Sequence, residues 1–271
     1  MGSSKEDVFD FWNAASCGED LLLESPDKQG YINQSNERYK LEPFILNFAE
    51  FSNYRQKDVL EIGVGLGSDH QKFAECGANL TGIDLTDRAI EHAKYRFKLL
   101  NLNSNLRVGD AEKLDFKDSS FDLVYSWGVI HHSPDTPTAV KEIHRVLRPG
   151  GEAKIMIYYK WSLIGFMLWI RYALMAFKPF TSLNTIYANY LESPGTKAYT
   201  INEANKLFHD FDDIQTSIAL THGDLLSSGA GQRHQGILLN LAKKIWPRWL
   251  IKICFKNNGL FLLVKAKKTK I

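Results

Sequence analysis

Between residues 57 and 158, short apolar runs alternate with segments of helical length, and this rhythm narrows the fold more than any other feature of the chain. K-D-V-L-E-I-G, N-L-T-G-I-D-L, L-R-V-G-D, F-D-L-V-Y-S-W and E-A-K-I-M-I-Y-Y read as successive strands. Helices are expected at Ser68–Cys76, from Asp87 to about Leu100, and at Thr136–Leu147, the last stopped by Pro149-Gly150-Gly151. Strands joined by helices of this length predict an α/β domain with a parallel sheet and helices on both faces. Upstream, Glu42–Tyr54 reads as a helix with Phe44, Ile45, Phe48 and Phe51 on one side. After residue 158 the rhythm lapses. Trp161–Phe177 is almost continuously apolar, broken by Arg171, and Thr200-Ile-Asn-Glu203 has capping-box spacing and opens a helix to about His209. Ile214–Leu220 and Leu260–Lys267 read as further strands, and Ser193-Pro194-Gly195 marks a loop.

The 271 residues, 44% apolar and 24% charged, suit one large globular domain or a domain with an insertion. The net charge of +2 is unevenly spread, because no Asp or Glu occurs from Leu225 onward while Lys and Arg are frequent there. That surplus is either a solvated basic edge or a surface drawn to an anionic partner such as lipid, a phosphate-bearing substrate or nucleic acid. Cys17, Cys76 and Cys254 suggest neither a disulfide framework nor a zinc motif, and a reducing cytoplasm fits them. The N-terminal residues lack the apolar core of a signal peptide, and Glu6 breaks the myristoylation pattern.

V-L-E-I-G-V-G-L-G-S-D, residues 59–69, carries the most chemistry. Gly63, Gly65 and Gly67 close a strand and open a helix, so the backbone can approach a ligand. Glu61 precedes them inside the strand, Asp84 ends the second strand where an acid meets ribose hydroxyls, and Asp110 ends the third, placed to accept from an adenine amino group. Acids at three strand ends suit a cationic nucleoside better than a pyrophosphate, which prefers bare helix N-terminal amides.

With these motifs the segment Asp58–Tyr158 resembles a class I S-adenosylmethionine-dependent methyltransferase of the small-molecule group. The resemblance runs through L-E-I-G-V-G-L-G, G-I-D-L-T-D-R-A-I-E-H-A, G-D-A-E-K-L-D-F, S-F-D-L-V-Y-S-W-G-V-I-H-H and E-I-H-R-V-L-R-P-G-G. It implies a Rossmann-like, doubly wound seven-stranded sheet, mostly parallel with an antiparallel last strand, and S-adenosyl-L-methionine at the strand C-terminal ends. It assigns Glu61, Gly63, Gly65 and Gly67 to the methionine part, Asp84 with Leu85 to the ribose, and Asp110 with Ala111 to the adenine, Ser126 lying beside them. The chain then divides into an N-terminal helical lid (1–56), a cofactor-binding core (57–158), a helical cap insertion (159–212) and C-terminal strands with a basic segment (213–271).

Methyl transfer to oxygen or nitrogen uses alignment and, for many acceptors, a base. His132 and His131 are the catalytic candidates, His132 the better placed as base or acceptor-orienting group and His131 more simply packed within the turn. A shared metal ion is not expected, since neighbours in an extended segment point to opposite sides and no further metal motif is present. Thr221–His234 is either a surface loop or a substrate loop contributing His222, Arg233 and His234. Phe9–Asp20 either closes over the cofactor or covers the sheet edge. Trp161–Phe177 is too short and interrupted for a membrane span; it reads as a cap over the acceptor, with peripheral membrane contact or a homodimer interface as the alternatives. The expected activity is methylation of a small or lipid-like acceptor, most simply at oxygen, by a cytoplasmic protein. Rivals are an RNA or protein methyltransferase and a non-catalytic cofactor-binding regulator. Ser126-Trp127-Gly128-Val129 after the fourth strand disfavours methylation of base amino groups and hence nucleic acid as partner.

Overall fold

In the computed structural model, which describes residues 4–227, 244 and 246–269, Val59 through Ile62 are buried on both faces of a central strand, β1 (Asp58–Ile62). Continuous apolar runs of this kind belong to parallel strands covered on both sides. β1 pairs in parallel with β2 (Asn79–Asp84) and β4 (Phe121–Trp127); β3 (Asn105–Val108) extends one edge and β5 (Leu147–Tyr158) the other side. β6 (Asp212–Ala219) and β7 (Phe261–Lys267) complete seven strands in the order β3-β2-β1-β4-β5-β7-β6, with β7 antiparallel to both neighbours. The last strand is therefore antiparallel, as the sequence resemblance implies.

Ahead of the sheet come α1 (Lys5–Ala14), α2 (Glu19–Leu22), α3 (Lys28–Leu41) and α4 (Phe44–Ala49). The alternating helices are α5 (Ser68–Glu75), α6 (Asp87–Leu100) and α7 (Thr136–Val146). Thr86 and Asp135 cap α6 and α7 by accepting from backbone amides three residues on. Phe48, Phe51, Phe73 and Tyr125 pack on one sheet face, and Ile143, Val146, Ile155 and Phe208 on the other. The expected helix at Glu42–Tyr54 is broken in two: α4 ends and a 3-10 turn follows at Phe51–Tyr54. Its cause lies in the sheet, where the buried Lys154 on β5 donates to Ala49 O at 3.0 Å and to Glu50 Oε2 at 2.6 Å. A carbonyl taken by that ammonium ends the α-helix, and Glu50 turns left-handed at φ 53°.

After β5, the apolar stretch folds as α8 (Leu163–Trp169) running into a π turn at Ile170–Leu174, followed by α9 (Leu183–Tyr190). α10 (Ile201–Leu207) has both halves of the expected capping box: Glu203 N donates to Thr200 Oγ1, and Thr200 N to Glu203 Oε2. α11 (Arg248–Cys254) precedes β7.

Arg96 on α6 is wholly enclosed. Its guanidinium donates to Gln71 Oε1 (2.8 Å), Gln34 Oε1 (2.9 Å), Leu66 O (2.9 Å), Ser68 Oγ (3.2 Å), Tyr31 O (3.1 Å) and the Ser35 hydroxyl. Burial lowers its pKa to about 10, which leaves it cationic at neutral pH. It ties α3 to the loop between β1 and α5. Replacing Arg96 by Met strands these acceptors in the interior, and should cost about 3 kcal/mol or more of stability. Urea unfolding monitored by circular dichroism measures that loss; a midpoint within error of wild type would contradict it.

Candidate functional site

A cavity of about 720 Å³ opens over the C-terminal ends of the parallel strands. Strand order reverses between β1 and β4, the place in an open α/β sheet where ligands bind. Gly63, Gly65, Asp84, Leu85, Asp110 and Ala111 all line this cavity. The glycine turn is built for close approach. Gly63, Gly65 and Gly67 have φ of 81°, 50° and 77°, and a side chain on Gly63 would lie 2.1 Å from Val129 Cγ2. Asp84 accepts from Gly65 N at 3.1 Å and from Thr86 N at 3.0 Å, so one carboxylate braces the turn beneath the cavity. Burial pushes its carboxyl above the ordinary range despite these bonds.

Not every expected cofactor residue reaches the cavity. Glu61 is buried and pairs with His70 Nδ1 at 2.9 Å, outside the lining residues. Burial, with the Asp69 charge, holds its carboxyl well above the usual range, while burial pushes His70 down to about 3, so both shifts favour neutral groups. Gly67 caps α5, and Ser126 is buried with its hydroxyl on Ile62 O. His222 lines the cavity, 4.0 Å from Glu42. Arg233 and His234 lie outside the described residues.

His131 and His132 correct one expectation. Their segment is a turn, closed by His132 N donating to Val129 O at 2.9 Å, and not an extended strand. The rings therefore lie side by side, with centroids 4.2 Å apart, and with Glu192 they present ligand-type atoms within 4.8 Å of one another. The opposite-sides argument against a shared ion does not hold. His131 is fully buried, its ring nitrogens have no hydrogen-bond partner, and it packs on Tyr158 at 4.0 Å; burial pushes its pKa well below the usual value. His132 lines the cavity. Its Nδ1 lies 2.8 Å from Ser193 Oγ and 3.0 Å from Thr196 Oγ1. The Thr196 hydroxyl donates to Ser193 O at 2.6 Å. The His132 Nε2 lies 3.3 Å from Glu192 Oε2.

Glu192 and Tyr158, whose hydroxyl donates to Glu192 at 2.5 Å, line the cavity and carried no local sequence signal. The same is true of Arg38, Glu42 and Lys5. Arg38 forks onto Asp69 at 2.8 and 3.3 Å, and Lys5 reaches Asp110 at 2.5 Å. Trp12 of α1 lines the cavity and meets His132 edge-on at 5.2 Å. The apolar wall comes from the cap, through Ile164, Met167 and Leu168.

A Rossmann-like sheet with a glycine turn and strand-end acids under one cavity defines a nucleoside-cofactor enzyme fold. Residues 60–155 match a family model described as a methyltransferase domain. The chain is 33% identical over 134 residues to a sterol 24-C-methyltransferase of Saccharomyces cerevisiae, a stretch covering 45% of this chain and 34% of that one. It is 28% identical over 143 residues to a ubiquinone biosynthesis O-methyltransferase of Coxiella burnetii, covering 53% and 54%. The chain thus spans roughly a third to a half of the curated relatives it matches. The structure of a Haemonchus contortus phosphoethanolamine N-methyltransferase, in complex with S-adenosylhomocysteine, superposes with a TM-score of 0.56 at 17% identity, covering 93% of this chain and 59% of that one. Residues 60–155 carry a methyltransferase domain of the class I, S-adenosylmethionine-dependent kind.

Glu42 gives the site a pH signature. Burial, partly offset by Arg38 and reinforced by Asp69 and Glu192, pushes its carboxyl from 4.5 up to about 7. The folded chain then holds a proton that the unfolded chain releases, so this residue's contribution to stability falls as pH rises from 4.5 to about 7 and is level above. Urea midpoints from pH 5 to pH 8 should show that decline shrink in Glu42→Gln, with the variant gaining on wild type at the alkaline end. Parallel curves would contradict the assignment.

Proposed function

We propose that the chain transfers the methyl group of S-adenosylmethionine to an oxygen of a small, lipid-like acceptor in the cytoplasm, with His132 as the base. The observation carrying this reading is the continuity of one cavity, from Asp84 and Asp110 past His132 to the apolar wall of the cap. The bound cofactor supplies an electrophilic methyl group on a sulfonium, whose positive charge is lost on transfer. Asp84 is the residue to hold the ribose, and Asp110 with Ala111 the adenine. Arg38 and the Gly63–Gly65 backbone are left for the methionine end. An acceptor hydroxyl beside His132 gives its proton to the imidazole as the oxygen takes the methyl group. The Glu192 carboxylate, fixed by the Tyr158 hydroxyl, stabilises the imidazolium so formed. Trp12 and the cap exclude water around this step. The relatives named for sterol and ubiquinone methylation agree with an apolar acceptor, and the three free cysteines agree with a reducing compartment.

The test is incubation with methyl-labelled cofactor and a fractionated cell extract. Label in the organic-solvent phase, released as free base-stable product, supports the reading; label confined to RNA or protein contradicts it. His132→Ala should slow labelling about a hundredfold or more while calorimetric affinity for the cofactor is unchanged. Labelling at the wild-type rate would remove its role as base.

A further inference from the structure

The cap ends in an exposed run, Leu174-Met-Ala-Phe-Lys-Pro-Phe180, in which Phe177 is 94% and Phe180 100% exposed. On α11, Trp249 and Ile253 are 69% and 67% exposed. Isolated apolar residues on a surface need no explanation, but largely exposed bulky apolar residues on two elements whose neighbours line one cavity do. Ile170, Arg171 and Met175 are exposed and also line the cavity, so it opens alongside the cap; Leu226 and Trp246, on the approach to α11, line it as well. The charge on both elements is of one sign. No Asp or Glu occurs from Ala153 to Leu191 or from Leu225 onward, whereas Arg171 and Lys178 on the cap, and Lys252 and Lys256 beside α11, are exposed cations.

We infer that the cap tip and α11 form a docking surface for an anionic lipid bilayer. Phe177, Phe180, Trp249 and Ile253 enter the interfacial layer, and the neighbouring lysines and Arg171 meet the headgroups. Among the described residues no helix is long and apolar enough to cross a membrane, so the contact is peripheral. A second copy of the chain fits this face less well, because self-association would bring carboxylate-free, cationic segments against each other. The inference deepens the proposed function, resting on a lipid-like acceptor: the docked cavity mouth faces the layer where such a molecule resides, and the acceptor passes between the cap and the α11 approach to His132.

The test is co-sedimentation of the full chain with vesicles of phosphatidylcholine alone and of phosphatidylcholine with a quarter phosphatidylglycerol. Wild type should pellet with the anionic vesicles, release at high salt and stay in solution with the neutral ones. The Phe177→Ser, Phe180→Ser double variant should lose at least tenfold in partitioning while binding S-adenosylhomocysteine as wild type does, which shows that it is folded. Wild type remaining in solution with anionic vesicles would overturn the inference. So would a double variant that partitions equally, or a wild-type dimer by sedimentation velocity that the double variant dissociates. Docking without label in the organic phase leaves this surface standing and removes the acceptor reading; label there without docking does the reverse.

Discussion

The guanidinium of Arg96, sealed in the interior with only uncharged acceptors bonded to it, is the contact on which the site's assembly rests. Three of its acceptors belong to α3 and three to the turn and first residues of α5, so one cation sets the distance between the N-terminal cover and the cofactor turn. Arg is suited to this because its planar fork presents five donors, more than a lysine can offer. Once α3 is fixed, Arg38 and Tyr39 on it meet Asp69, which also accepts from Tyr125 on β4. One side of the cavity is thus walled by charged residues such as Arg38 and Glu42, and the other by apolar residues such as Ile164, Met167 and Leu168.

The two sides meet at the turn after β4, and the cap holds that turn from outside. Lys197 N donates to His131 O at 3.0 Å, and Ser193 and Thr196 orient the His132 ring. The segment that lines the proposed acceptor space therefore also holds the proposed base, so under that reading a change in the cap alters positioning and specificity together. His131 serves the same end by packing: with both ring nitrogens unbonded and its charge suppressed by burial, it fills space between Tyr158 and His132.

Much of this was legible in the chain. Most strand and helix limits in the core fall within a residue or two of expectation, because parallel strands buried on both faces leave continuous apolar runs and the turns carry glycine or capping residues; β5 is the exception, beginning at Leu147 and not at Glu152. The glycine turn, Asp84 and Asp110 lie in short local motifs and could be read directly. Glu61 was read by its motif as a cofactor contact, yet its side chain turns to His70, a pairing set by strand-to-helix packing and invisible to a linear pattern. Glu192, Tyr158, Arg38 and Lys5 come from segments far apart in the chain, and their convergence depends on tertiary structure alone. Ser193-Pro194-Gly195 was readable as a loop, but its hold on His132, 61 residues away, was not. The histidine pair shows the limit of local geometry: alternation applies to a strand, and a one-turn loop puts both rings on the same side.

Everything proposed for this chain depends on the strand-end acids and the glycine turn forming one cofactor site. Isothermal titration of the full chain with S-adenosylhomocysteine tests it most directly, comparing wild type with Asp84→Ala. A single site per chain and at least tenfold weaker binding in the variant are expected. Equal affinity in the two proteins, or no binding in wild type, would contradict it.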